Sequence, residues 1–411
     1  MLAIVVTATT IKTALSQINN IKPGYLAEWR IDHLNDINVS AIINASRLTK
    51  KIIMLTIRRQ VDGGLFQGAE QERQQLLITL AKGNFTYIDI EHDLAQTVID
   101  KIKNQNKQLK IIRSYHNLKQ TPTDLNQLAD TIRAKHIYKY KIVTKANNNT
   151  DAMRMLHMIK SHTDIYGHCL GTDYAYTRYI CRILTDTISY ATENCDNNDI
   201  GIPNTSDYLL HGYQWINRAT RIYALIGNPI TQSPGALFHN HEFKENEVNA
   251  IYVLIPLTSC ELPQYLKYSK LLPISGMSVT RPLKEVIITH NIKTSHHAIN
   301  TIMNDNDISW SAINTDGKAC VMLLQKHTQL RQKNILIIGA GGTASGIIEA
   351  LSEYNLNVFI YNRTIDNATR LAKTFNCSTV THLEKCDLQF DIIISTVPPE
   401  AYQQSTIIQH L

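Results

Sequence analysis

KIIMLTIRRQVDGGLFQGAEQERQQLLITLAKGNFTYIDIE (51–91) holds two short apolar runs around a polar stretch of helical length. The runs, KIIMLTIR (51–58) and FTYIDIE (85–91), are rich in β-branched residues and read as strands; residues 69–83 suit a helix. The same alternation extends outward on both sides. LAIVV (2–6) and YLAEWRID (25–32) precede it, and LKIIRSYH (109–116), HIYKYKIVT (136–144), HTDIYGHCL (162–170) and SYAT (189–192) follow, with 121–135 as another helical segment. Eight strands alternating with helices before residue 215 predict a (β/α)8 barrel in an α/β chain.

At 411 residues, 44% hydrophobic and 18% charged, the chain is long enough for two or three domains of about 100–200 residues each. No apolar run approaches the ~18 residues of a membrane span. The first apolar run reads as a strand and not as a leader peptide. The net charge of +6 comes from scattered basic residues, which argues against nucleic acid as a partner and fits anionic small molecules. The seven cysteines are odd in number and form no CxxC, so reduced thiols in a cytoplasm are expected, with no metal site.

In such barrels chemistry sits at the C-terminal strand ends. The polar residues there are Glu28, Arg30 and Asp32, then Arg58, Glu91 and His116, and finally Lys139, Lys141 and Lys145. Glu28, Arg30 and Asp32 share one strand face. Each residue also has a plain structural reading: a lysine with its amine at the surface, a packing histidine, a Glu28–Arg30 ion pair filling the barrel. Together they suit imine chemistry. Burial and nearby arginines lower a lysine's pKa, and the neutral amine attacks a ketone. A histidine then moves the α-proton, and arginines hold a carboxylate. Parity alone leaves the choice among the three lysines open.

EWRID (28–32), TIRRQVDGG (56–64), YIDIE (87–91), SYHNLKQTP (114–122) and YKIVTKANNNTD (140–151) resemble type I 3-dehydroquinate dehydratase over about residues 1–215. The resemblance implies Lys141 as the Schiff-base lysine and His116 as the general acid/base, with Glu28, Arg30, Arg58 and Arg178 contacting substrate. Three departures stand out. Asp62 replaces a glutamate, Tyr174 a glycine, and Ile202 a substrate-contacting glutamine.

After the helix-breaking patch NCDNNDIGIPNTS (194–206), a second pattern opens with RIYALIGNPITQSP (221–234). Within it, NILIIGAGGTASGIIEALSEYNLNVFIYNR (334–363) reads as strand, Gly-rich turn, helix and strand, the context of a dinucleotide fingerprint. Gly339 supplies the tight turn, and Gly341 with Gly342 lets phosphate approach the helix N-terminus. Asn362, Arg363 and Thr364 stand where an NAD site would carry an acid, so NADP is expected.

ALIGNPITQSPGALFHN (224–240), GMSVTRPLKE (276–285), AINTI (298–302) and AINTDG (312–317), with GAGG and NRT, resemble shikimate dehydrogenase over residues 221–400. This implies Lys284 and Asp316 as the catalytic pair and Ser233, Thr280 and Asn300 as substrate contacts. Gly235 stands where the family has a second serine.

The expectation is a barrel over 1–215, a shikimate-dehydrogenase-like α/β substrate domain over 221–318 and an incomplete NADP-binding Rossmann domain over 319–411. The chain would dehydrate 3-dehydroquinate and reduce 3-dehydroshikimate to shikimate. The family's last strand, Gly-rich loop and closing helices are not in the sequence, which predicts weakened reduction. Two alternatives are an active dehydratase with a non-functional second half and a non-catalytic metabolite sensor.

Overall fold

Eight apolar runs of the N-terminal half form parallel strands: β1 (Leu2–Val6), β2 (Leu26–Arg30), β3 (Ile52–Thr56), β4 (Tyr87–Glu91), β5 (Lys110–Asn117), β6 (Ile137–Lys145), β7 (Ile165–Leu170) and β8 (Ser189–Ala191). The computed structural model describes residues 1–193, 202–290, 292–305, 309–383 and 388–397. The strands run in the order β7-β6-β5-β4-β3-β2-β1-β8. Helices separate them, and several start where a side chain caps free amides. Thr10, Asn38, Asp124 and Asn148 accept from Thr13, Ala41, Gln127 and Asp151. The strands are buried on both faces, as a parallel sheet wrapped by helices requires. β8 has three residues and, among the described residues, a ladder only to β1. Across the seam to β7, the Tyr166 and Tyr190 hydroxyls meet at 3.1 Å.

Two compact units make up the chain. One comprises residues 1–223, 231–256 and 263–274; the other comprises 224–230, 257–262 and 275–411. Strand β9 (Arg221–Gly227) leaves the first, which also holds β10 (Ala250–Pro256). Beyond β11 (Ile274–Val279), the second contains β12 (Thr301–Asp305) and β13 (Ser309–Ile313), consecutive antiparallel neighbours. AINTI runs into β12 and β13 runs into AINTDG, a hairpin that the sequence pattern does not disclose.

The second unit then forms a parallel sheet from β14 (Asn334–Ile338), β15 (Asn357–Tyr361), β16 (Ser378–Thr379) and β17 (Ile392–Ser395), in the order β16-β15-β14-β17. Helices Gly342–Leu351 and Ile365–Phe375 connect its strands. Ile335, Ile337, Ile347, Ile348 and Ile360 form its core. Pro398, Pro399 and the remainder of the chain lie outside the described residues.

Candidate active sites

Strand register builds the barrel site. Lys141 on β6 stands opposite Ser114 on β5 and Tyr166 on β7. Two residues further on, and so on the same face, Val143 stands opposite His116 and His168. Lys141 is 4% exposed. Its Nζ donates to Asp89 Oδ2 at 2.5 Å and lies 4.4 Å from the Tyr190 ring centroid.

Asp89 also takes Arg58 Nη2 at 3.0 Å and the Ser114 hydroxyl at 2.6 Å. Arg58 Nη1 reaches Glu91 and Ser114 at 2.9 Å each. Glu91 is held in turn by the buried Arg73, which forks onto Glu70. Such charges are costly to bury, and here nearly every one has a partner.

The network sets protonation. Burial would raise the Asp89 carboxyl, but Arg58 and Lys141 overcome it and hold it at about 2. Burial lowers the Lys141 ammonium below its ordinary value; Asp89 opposes that and Arg58 reinforces it. Burial, then Arg58, Lys141 and His168, push His116 well below the usual histidine range. The His116 Nδ1 has no hydrogen-bond partner among the described residues.

One cavity of about 320 Å³ joins Lys141 and His116, with Glu28, Arg30, Arg58 and Arg178 in its wall. Lys139 instead donates to the Thr163 carbonyl at 2.9 Å, and Lys145 is exposed at the cavity wall. The Glu28–Arg30 pair considered as barrel filling does not form. Arg30 forks onto Asp32 at 2.9 and 2.7 Å, while Glu28 accepts from Thr56 at 3.0 Å. A two-residue carboxylate partner gives the guanidinium its bidentate geometry without crossing to another strand.

Arg178 is 3% exposed, and its Nε and Nη2 have no hydrogen-bond partner among the described residues. Its neighbour Thr177 fixes the helix start, accepting from the Cys169 amide at 3.0 Å and donating to the Tyr174 carbonyl at 2.7 Å. A buried guanidinium with free donors suits an anionic ligand. Asp62 and Ile202 also line the cavity.

Sequence reasoning missed Asp89, His168 and Tyr190. Asp89 carried a signal: in YIDIE it shares a face with Glu91, by the parity that grouped Glu28 with Arg30.

A second cluster lies in the other unit. Lys284 Nζ donates to Asp316 Oδ2 at 2.5 Å and to Thr343 Oγ1 at 2.9 Å. Asn300 Nδ2 reaches Asp316 Oδ1 at 2.7 Å, and its Oδ1 takes the Thr315 amide at 3.0 Å. Thr280 follows β11, its amide bonded to the Ile226 carbonyl at 3.0 Å. Ser233 belongs to the first unit, where its Oγ accepts from the Gly235 amide at 3.2 Å. Thr343 is an addition the sequence reading did not make.

The Gly-rich turn adjoins this cluster. A Cβ on Gly342 would lie 2.7 Å from Lys284 Cβ, so only glycine lets the turn pack there. Gly339 has φ +111°, which also demands glycine. A Cβ on Gly341 would meet nothing within 4 Å, leaving open space before the helix N-terminus. Asn362 donates to the Thr364 carbonyl at 2.8 Å, and Arg363 is exposed. These features fit a dinucleotide phosphate. Among the described residues, no group of three or more His, Cys, Asp or Glu could hold a metal. No described helix is long and apolar enough to cross a membrane.

Three family models match the chain: type I 3-dehydroquinase over residues 2–205, shikimate dehydrogenase substrate binding domain over 225–302, and shikimate/quinate 5-dehydrogenase over 322–407. The shikimate biosynthesis protein AroDE of Chlamydia pneumoniae is 30% identical over 79% of this chain and 70% of its own length. The chloroplastic bifunctional 3-dehydroquinate dehydratase/shikimate dehydrogenase of Arabidopsis thaliana is 28% identical over 85% and 62%. The NADP(+) shikimate dehydrogenase of Pyrococcus furiosus is 37% identical over 38% of this chain and 59% of that protein.

Proposed function

The chain belongs to the shikimate biosynthesis family that joins a type I 3-dehydroquinase to a shikimate dehydrogenase, and from this premise we propose how its two sites divide the work. It dehydrates 3-dehydroquinate to 3-dehydroshikimate and reduces that product to shikimate with NADPH. Family models matching both halves favour neither a non-catalytic sensor nor an inert second half. Residues 1–215, 221–318 and 319–411 are the barrel, substrate and NADP-binding modules of this reading. Unpaired described cysteines support a cytoplasmic setting.

The observation that carries the first activity is a buried lysine sharing a cavity with an imidazole. The Lys141 amine adds to the substrate ketone and expels water, leaving a protonated imine. His116, kept neutral by its surroundings, removes the α-proton into that electron sink. It then returns the proton to the departing hydroxyl, and hydrolysis frees Lys141. The unsatisfied donors of Arg178 take the substrate carboxylate, with Glu28, Arg30 and Arg58 framing the ring.

In the second site Asp316 holds Lys284 for proton transfer at the substrate oxygen, and Asn300 fixes Asp316. Thr280 is a further substrate contact. Gly339, Gly341, Gly342, Asn362, Arg363 and Thr364 would hold NADP, which supplies the hydride when bound. The test is to give the full chain 3-dehydroquinate with and without NADPH. Enone absorbance should rise without it, and NADPH should be consumed with it. Failure of the first refutes the barrel assignment, and failure to consume NADPH when 3-dehydroshikimate is supplied directly refutes the reductase assignment.

A further inference from the structure

Two imidazoles line the cavity around Lys141, and the mechanism above uses one. His116 on β5 and His168 on β7 stand in register with the same residue of β6, Val143. They therefore flank β6 at one level, one inward step beyond Lys141. With neighbouring strands about 4.8 Å apart, their backbones are separated by roughly 10 Å, room for a six-membered ring between them.

His168 is 9% exposed, lines the cavity and has no hydrogen bond among the described residues. Unlike the His116 Nδ1, its ring nitrogens are not sealed from solvent, so the imidazole opens on the cavity, where an apolar side chain would serve equally well for packing alone. The cations facing the cavity are Arg30, Arg58, Lys141, Lys145 and Arg178; the acids are Glu28 and Asp62. Burial, then Arg178 and Lys141, disfavour a proton on His168, so it rests neutral near pH 7.

We propose that His168 is a second acid/base of the barrel site, relaying protons from the Lys141 nitrogen to the substrate's ketone oxygen while the imine forms. Neutral His168 first takes a proton from the Lys141 ammonium. The freed amine forms the C–N bond, the carbonyl π pair moves to oxygen, and His168 protonates it. A second relay removes one proton from nitrogen and delivers it to the hydroxyl. Water leaves with the C–O pair, the nitrogen lone pair makes the C=N bond, and His168 ends neutral. Ammonium and ketone thus become protonated imine and water. His116 is left free for the α-hydrogen.

This inference rests on the dehydratase reading. The test mixes the full chain with 3-dehydroquinate, quenches into borohydride at increasing delays and quantifies the reduced adduct on the Lys141 peptide. His168→Gln keeps volume and polarity, and His168→Ala opens space for added imidazole. Both variants should form the adduct about a hundredfold more slowly with KM nearly unchanged, and imidazole should restore rate to His168→Ala. Wild-type adduct rates in both variants, or a defect confined to KM, overturn the relay. A wild-type chain that forms no adduct instead removes the dehydratase reading itself.

Discussion

Asp89→Asn removes a charge that two buried cations share, Lys141 at 2.5 Å and Arg58 at 3.0 Å. The carboxyl is held at about 2 against an ordinary 3.8. At about 1.4 kcal/mol for each tenfold change in proton affinity, that depression is worth about 2–3 kcal/mol of folding free energy. Removing one partner from a buried pair costs about 3–5 kcal/mol by a separate route, so a loss near 3 is expected.

Because the folded carboxyl is the stronger acid, its contribution is complete above the unfolded pKa and disappears as pH falls through about 2. The difference between wild type and Asp89→Asn should therefore be flat from pH 7 to about 4 and shrink as pH falls from there toward about 2. Urea titration, read by amide exchange in Tyr87–Glu91 and Ile137–Lys145, measures it in the relevant strands. Asp89 also raises the Lys141 pKa, so the variant's acid limb of kcat/KM should move to lower pH. A loss under about 1 kcal/mol, a pH-independent loss, or a limb moving upward would show that Asp89 does not hold these cations as described.

Arg178→Met should raise KM for 3-dehydroquinate about a hundredfold, by losing charge-assisted hydrogen bonds, while urea stability holds or rises because an unpaired buried charge is removed. Gly342→Ala should displace Lys284 and cut NADPH-dependent reduction at least about tenfold, leaving dehydration untouched. Gly341→Ala should fold normally but bind NADPH more weakly by calorimetry, since its Cβ enters only open space. Arg363→Ala should lower the preference for NADPH over NADH about tenfold in steady-state kinetics.

The barrel was legible because each strand is a short apolar run between polar segments, down to the three-residue β8. Boundaries moved where the last residues of a run leave the ladder: Arg58 lies beyond the end of β3 at Thr56, free to turn into the cavity. The hairpin β12–β13 was hidden because Asn304 and Asp305 break its hydrophobic pattern. Lys284 and Asp316 were visible only through resemblance. Their meeting with Thr343 and the close approach of Gly342 depend on tertiary packing between segments far apart in sequence. His168 was passed over because one histidine in IYGHCL has no meaning until register places it opposite Val143.

In the proposed mechanism, Lys141 alone among the β6 lysines carries the substrate as an imine. Borohydride reduction of the full chain with 3-dehydroquinate, followed by peptide mapping, tests it most directly. Stable mass added at Lys141 is the expected result. Label at Lys139 or Lys145, or none anywhere, would contradict it.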